Sequence, residues 1–238
     1  MDEWIKDLNY ILMPCRHAVK GYEAEYQAAY DCWRAAWEKF RAEIGITEPL
    51  SCDGFILPDE MGVMFYKGEC VGLASFTYGR LDYGPMKDHS WFKAWTPEAY
   101  EKLQEISPEG MICSQFSINP KFTGKLQVVR WKEILFNFIH MRFDYSSAGV
   151  MAGHLNLTRG MQNACGEDFG AKILDPLHPF NYYGVSLSAQ LVAYQRDIIH
   201  RMIDRKELKP LCEKLWSRLI HLSEYSVNSP VIPMKKTA

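Results

Sequence analysis

The stretch Ile112-Cys113-Ser114-Gln115-Phe116-Ser117-Ile118-Asn119-Pro120-Lys121-Phe122-Thr123-Gly124-Lys125 runs straight into an apolar segment, and its reading decides the fold. Residues 111–118 are rich in β-branched and aromatic side chains and close on Asn119-Pro120, which predicts a strand delivering a short glycine-containing turn. A helix starting there would present free N–H groups and the positive end of its dipole, which attract phosphate oxygens. Lys121 and Lys125 add charge at the same place. Taken to residue 171, the order predicted is strand, phosphate-accepting loop, long apolar helix, strand and short helix.

Outward from that segment, the composition is that of an ordinary globular chain. Its 238 residues are 47% hydrophobic and 24% charged, enough for one large domain with a sizeable core. A net charge of -2 leaves no excess of cations to displace counterions from a nucleic-acid backbone, so no nucleic-acid partner is expected. Seven scattered cysteines with no CxxC pair signal neither a disulfide framework nor a zinc site. No metal is expected, and a reducing cytoplasm is. The acidic start Met1-Asp2-Glu3-Trp4 does not resemble a signal peptide. No apolar run reaches the roughly 20 residues of a membrane span.

Residues 1–20 mix apolar and polar positions without a firm period and are expected to form an arm on the main body. Tyr22, Tyr26, Ala29, Trp33, Trp37, Phe40 and Ile44 fall at spacings of three and four, one face of an amphipathic helix ending near Gly45. Residues 53–65 and 69–78 read as paired strands turning at Lys67-Gly68. Thr96-Pro97-Glu98 predicts a capped helix to about Ile106. The connection over residues 79–110, carrying Trp91, Phe92, Trp95 and Tyr100, is long enough to wall a cavity or simply to cover the sheet. Residues 126–143 read as a helix apolar on most faces, hence central. Residues 147–155 and 181–188 supply further strands. Beyond Ser188 the spacing of Leu191, Tyr194, Ile198 and Met202, then of Leu208, Leu211, Leu215, Leu219 and Leu222, predicts two helices. They could cap the sheet edge or pair with a second copy as a homodimer. The expected divisions are 1–20 arm, 21–188 main domain, 189–225 helical extension packed on it, and 226–238 tail.

Lys121-Phe122-Thr123-Gly124-Lys125-Leu126 resembles the Gln/Arg-x-x-Gly-x-Gly/Ala phosphate loop of the GNAT superfamily of N-acyltransferases. Gly124 matches the middle glycine, Lys121 holds the first position, and Leu126 stands where the family has a small residue. Cys70-Val71-Gly72-Leu73-Ala74-Ser75 is similar to the family's third strand, and Gly170-Ala171 sits where it has Gly-Phe. The resemblance covers most of residues 20–190 and implies an α/β (α+β) fold, a mixed central sheet flanked by helices, with a C-terminal helical extension.

The resemblance also implies a chemistry. In GNAT-like folds the fourth and fifth strands splay, and exposed peptide groups bond a pantetheine thioester. On this basis Phe116 and Ile118 would meet the donor, Lys121, Phe122, Thr123, Gly124, Lys125 and Leu126 its phosphate, and Asn156 its pantetheine arm. His154, at the end of the fifth strand, is the expected base, because imidazole titrates near neutrality. Ser117 is expected to orient a water. The family's tyrosine acid falls on Gly166, so Tyr182 or Tyr183 stands in, or the thiolate leaves unprotonated. The bulky Leu126, the aromatic connection and the missing acid resemble the long-chain N-acyl amino acid synthase and autoinducer-synthase branch more than the acetyltransferases. The implied donor is acyl-CoA or the acyl-phosphopantetheine of acyl carrier protein. The implied acceptor is a small-molecule amine such as an amino acid. Binding of an acyl thioester or amino compound without turnover is the alternative.

Overall fold

A computed structural model describes residues 6–123, 130–198 and 209–224. In chain order the elements are β1 (Leu8–Pro14), α1 (Glu23–Glu43), α2 (Asp53–Ile56), β2 (Glu60–Tyr66), β3 (Glu69–Arg80), α3 (Gly84–Lys87), α4 (Pro97–Ile106), β4 (Glu109–Ile118), α5 (Trp131–Asp144), β5 (Val150–Asn156), α6 (Gln162–Cys165), β6 (Ala171–Tyr182), β7 (Val185–Gln195), α7 (Lys209–Trp216) and β8 (Ile220–His221). One mixed sheet runs β6-β7-β5-β4-β3-β2-β1-β8. The central pair β4–β5 is parallel, as is the edge pair β1–β8; the remaining pairs are antiparallel.

Helices cover both faces. On one, α5 packs Ile134, Leu135, Phe138 and Ile139 over Tyr10, Met64, Val71 and Met111. On the other, α1 brings Trp33 and Cys32 to Val63 and Leu73, while α4 and the connection before it bring Phe92, Trp95 and Leu103 to Ile112, Val150 and Leu191. The cap expected for α4 is present, with Thr96 Oγ1 accepting from the Ala99 amide at 3.2 Å. Lys67 and Gly68, both at positive φ, form the primed turn whose twist suits a two-residue hairpin.

Strands lie where none was expected: β1, β6 before residue 181, β7 from residue 189, and β8, which falls where Leu219 and Leu222 were read as helix. Residues 8–14 are a strand inside the sheet, not an arm. Leu8, Tyr10 and Leu12 pack on the α5 side, whereas Ile11 and Met13 pack on the α1 side. A strand buried on both faces shows no alternation of apolar and polar residues. The same cause hides β7. Residues 189–195, read as the start of a helix, pair with β5 from Asn156↔Ala189 to Val150↔Gln195, with Leu191 and Ala193 on one face and Val192 and Tyr194 on the other. Residues 53–56, expected in strand, form a helical turn, and β2 begins only at Glu60. Met202 and Leu208 lie outside the described residues.

Gly72 shows how closely the sheet is packed beside the bulge described below. A Cβ there would stand 2.6 Å from the Ser117 carbonyl oxygen and 2.7 Å from Ile118 Cδ1. Gly72→Ala should wedge β3 from β4 and lower stability by about 1–3 kcal/mol in urea denaturation. A variant as stable as the native chain would contradict this packing.

Candidate active site

The site begins with a fault in β4. Its register against β3 slips between Leu73 and Ser75, and there Gln115 adopts φ 54°, a left-handed conformation that non-glycine residues adopt only when their surroundings hold them in it. Those surroundings are specific. Trp33 Nε1 donates to Gln115 Oε1 at 2.9 Å, and the Ser117 hydroxyl donates to the Gln115 carbonyl at 2.8 Å. Beyond the start of the strand, β4 parts from β5. The two pair only at Gly110↔Val150, Met111↔Met151 and Ile112↔Ala152. From Cys113 and from Gly153 onward their facing edges have no ladder between them, and peptide groups left so will bond whatever enters.

A cleft of about 250 Å³ occupies this gap. Cys113, Ser114, Gln115 and Phe116 of β4 form one wall and Gly153, His154, Leu155 and Asn156 of β5 the other, with Trp37, Trp91, Phe180 and Tyr182 closing one side. A second cavity, of about 320 Å³, continues from it toward Ile118, Pro120 and Thr123, and Phe40, Phe116, Arg159 and Met161 border both. Lys39 and Lys132 stand on the wall of this outer cavity, together with Glu43.

His154 packs its ring against Phe180 (4.6 Å between centroids) and Trp91 (6.5 Å). Its Nε2 is buried with no hydrogen-bond partner among the described residues. Burial, aided by the nearby His178, pushes its pKa down to about 4, so the imidazole is neutral at pH 7. Asn156 Oδ1 accepts from the Arg159 amide at 3.2 Å, which turns the chain back after β5 and aims Arg159 at the junction of the cavities. Tyr182 stands 6.4 Å from both Trp37 and Phe40, with the Arg41 guanidinium at 5.9 Å. Burial raises its pKa while Arg41 opposes the rise, so the phenol keeps its proton.

Several expected residues therefore share the cleft: His154, Tyr182, Phe116 and Asn156, with Ile118 and Thr123 on the outer cavity. Ser117 is 0% exposed, tied to the bulge and absent from both linings. Lys121 pairs with Glu69 at 2.5 Å on the surface, and Phe122 packs on Trp131 at 5.9 Å. Gly124, Lys125 and Leu126 lie outside the described residues. Cys113 and Cys165 line the cleft, but burial pushes the Cys113 thiol up to about 12 and raises that of Cys165 as well, so neither is a thiolate nucleophile at neutral pH. Among the described residues, no cluster of His, Cys, Asp and Glu could hold a metal, and no helix is long and apolar enough to cross a membrane. Sequence reasoning missed Arg159 and Lys39. A lone arginine three residues past a strand belongs to no motif.

Two buried imidazoles make stability depend on pH. His140, packed on Phe136 at 4.3 Å, is held down to about 3 by burial, and His154 to about 4. Free imidazole titrates near 6.5, so below that pH the unfolded chain binds protons the native one does not, and stability falls as the solution is acidified. From pH 7 to pH 5 each histidine should remove about 2 kcal/mol. Urea titrations at the two pH values should show His140→Leu losing about 2 kcal/mol less than the native chain. An equal loss would refute the assignment.

A mixed sheet whose parallel central strands part at a bulge in the first of them, with a cleft through the gap, is a GNAT-like fold. No protein-family model matches the sequence, and no curated protein sequence does either. Solved structures do match. FeeM, an N-acyl amino acid synthase from uncultured soil microbes, superposes with a TM-score of 0.55 at 12% identity, over 86% of this chain and 98% of its own. BjaI, a CoA-dependent acyl-homoserine lactone synthase solved with MTA, gives 0.53 at 9% identity, over 91% and 94%. The acyl-homoserine lactone synthase LasI gives 0.52 at 13% identity, over 78% and 89%. At such identities the likeness is one of fold.

Proposed function

We propose that the protein is an N-acyltransferase that moves an acyl group from a pantetheine thioester, carried by CoA or by acyl carrier protein, to a small amine. The observation that carries this is the parting of β4 from β5 after Ile112 and Ala152, with a largely aromatic cleft in the gap. Unpaired strand edges suit the amide-rich pantetheine arm, and Lys39 and Lys132 on the outer cavity suit an acidic donor. The FeeM, BjaI and LasI structures share the fold and are, by name, an N-acyl amino acid synthase and two acyl-homoserine lactone synthases.

The amine nitrogen attacks the thioester carbonyl carbon. The C–N bond forms, the C–S bond breaks, and the nitrogen's proton passes to the departing sulfur, giving amide and free thiol. Entry into the aromatic cleft favours the neutral amine over the ammonium. His154, neutral and with Nε2 unpartnered, is the group placed to take the proton and return it to sulfur. Peptide N–H groups on the open edges polarise the carbonyl.

Offering acyl-CoA and acyl carrier protein donors with a panel of amines, and following thiol release together with amide mass, tests the reading. Inertness toward both donor types would overturn it. The depressed basicity of His154 favours a second reading, a protein that binds an acyl thioester without turning it over. Tight donor binding with no amide formed from any amine would support that one instead.

A further inference from the structure

Arg159 stands where the two cavities meet. Its guanidinium lies over Trp37 at 4.7 Å and Phe40 at 5.2 Å from the ring centroids. Stacking occupies the faces of the guanidinium plane and leaves its N–H edges for acceptors lying in that plane. One N–H donates to the Phe116 carbonyl at a long 3.3 Å, and Arg159 has no ion pair among the described residues. Glu43, on the outer cavity, acts on it only through space. Burial opposes the charge, yet arginine does not give up its proton in a protein. On the same wall, Trp37 Nε1 is buried with no partner among the described residues. A buried N–H without an acceptor and a guanidinium held by one long hydrogen bond thus stand together beside a cavity rich in aromatic rings. Such a pair calls for an anionic acceptor from a ligand.

We propose that Arg159, helped by the Trp37 indole N–H, is the specificity anchor for a carboxylate on the amine acceptor, so that α-amino acids with apolar or aromatic side chains are preferred over simple amines. A planar carboxylate matches the in-plane fork of a stacked guanidinium. The aromatic walls formed by Trp91, Phe180 and Tyr182 suit the side chain. The amine is then left for His154, whose Nε2 has no partner in the same cleft. This anchor rests on the acyl-transfer reading for its consequence, but it makes a separate claim about binding.

The experiment compares L-phenylalanine with phenethylamine, L-leucine with isoamylamine, and L-tryptophan with tryptamine, each pair differing only in the carboxylate. Binding is read by calorimetry without donor, and turnover with decanoyl-CoA and decanoyl carrier protein. The native protein should favour the amino acids by about 10- to 150-fold, the range expected of a hydrogen-bonded charge. Arg159→Gln should erase that preference by weakening amino acids alone. Arg159→Lys should keep part of it, and Trp37→Phe, which keeps a ring and loses the N–H, should reduce it by a few-fold. Equal use of both members of each pair by the native protein overturns the anchor. So does an equal loss for both in Arg159→Gln, which would mean a packing role. Amino-acid binding that Arg159→Gln abolishes, without turnover from either donor, keeps the anchor and removes acyl transfer. Turnover of amines irrespective of a carboxylate does the reverse, and absence of both binding and turnover overturns both. Should Arg159→Gln fail to fold, the native pairs and Arg159→Lys decide.

Discussion

Arg142→Met is expected to lose about 3–5 kcal/mol of stability. The Arg142 side chain is 1% exposed and that of Glu60 0%. Arg142 Nε bonds Glu60 Oε1, which also accepts the Tyr78 hydroxyl at 2.6 Å, and the guanidinium sits 5.3 Å from the Tyr78 ring. This group joins α5 to β2 and β3 from within the core. Its charges are out of water, so removing the cation leaves a buried carboxylate without its counter-ion, which is far worse than losing a surface pair. Glu60→Leu should be as harmful for the converse reason. The double variant Glu60→Leu/Arg142→Met should be much less destabilised than the sum of the singles, because no uncompensated charge remains. Urea midpoints with unchanged slopes would measure this. Single variants within 1 kcal/mol of native, or strictly additive losses, would show that the pair is not the joint described here.

His154→Ala and His154→Gln are expected to lower kcat by about 100- to 1,000-fold with little change in donor KM, the loss typical of a missing general base. Glutamine keeps a hydrogen-bonding side chain yet cannot take the proton, so it should rescue stability and not rate. The pH profile separates this histidine from an ordinary one. Because burial holds its pKa down to about 4, its neutral form persists across pH 5–8, and the acid limb of kcat/KM in the native protein should fall near pH 4 rather than near 6.5. An acid limb between 6 and 7, or unchanged turnover in both variants, would remove His154 from the mechanism.

The contrast between strands explains which parts were readable from the chain alone. The amphipathic helix from Tyr22 to Ile44 and the Thr96 cap were legible because period and capping are local, and both are present as α1 and α4. β1 and β7 were not, because tertiary cover on both faces erases the alternation on which strand reading relies. The site divides in the same way. His154 and Asn156 could be named because they stand at the end of a recognisable strand, and Trp91 because a long aromatic connection invites a cavity. Arg159 could not, since its importance comes from Trp37 and Phe40, more than a hundred residues earlier, stacking against it. Nor could the role of Ser117, which holds the bulge instead of facing the cleft.

By itself the sequence determined the order of elements around residues 112–123 and the character of the central helix, since both follow from local propensity and apolar spacing. The tertiary structure alone decided that β4 parts from β5, because the left-handed Gln115 is held by Trp33 from a distant helix. It also decided which polar groups are left without partners in the gap. Burial and long-range contact create those properties, and no neighbouring residue in the chain encodes them.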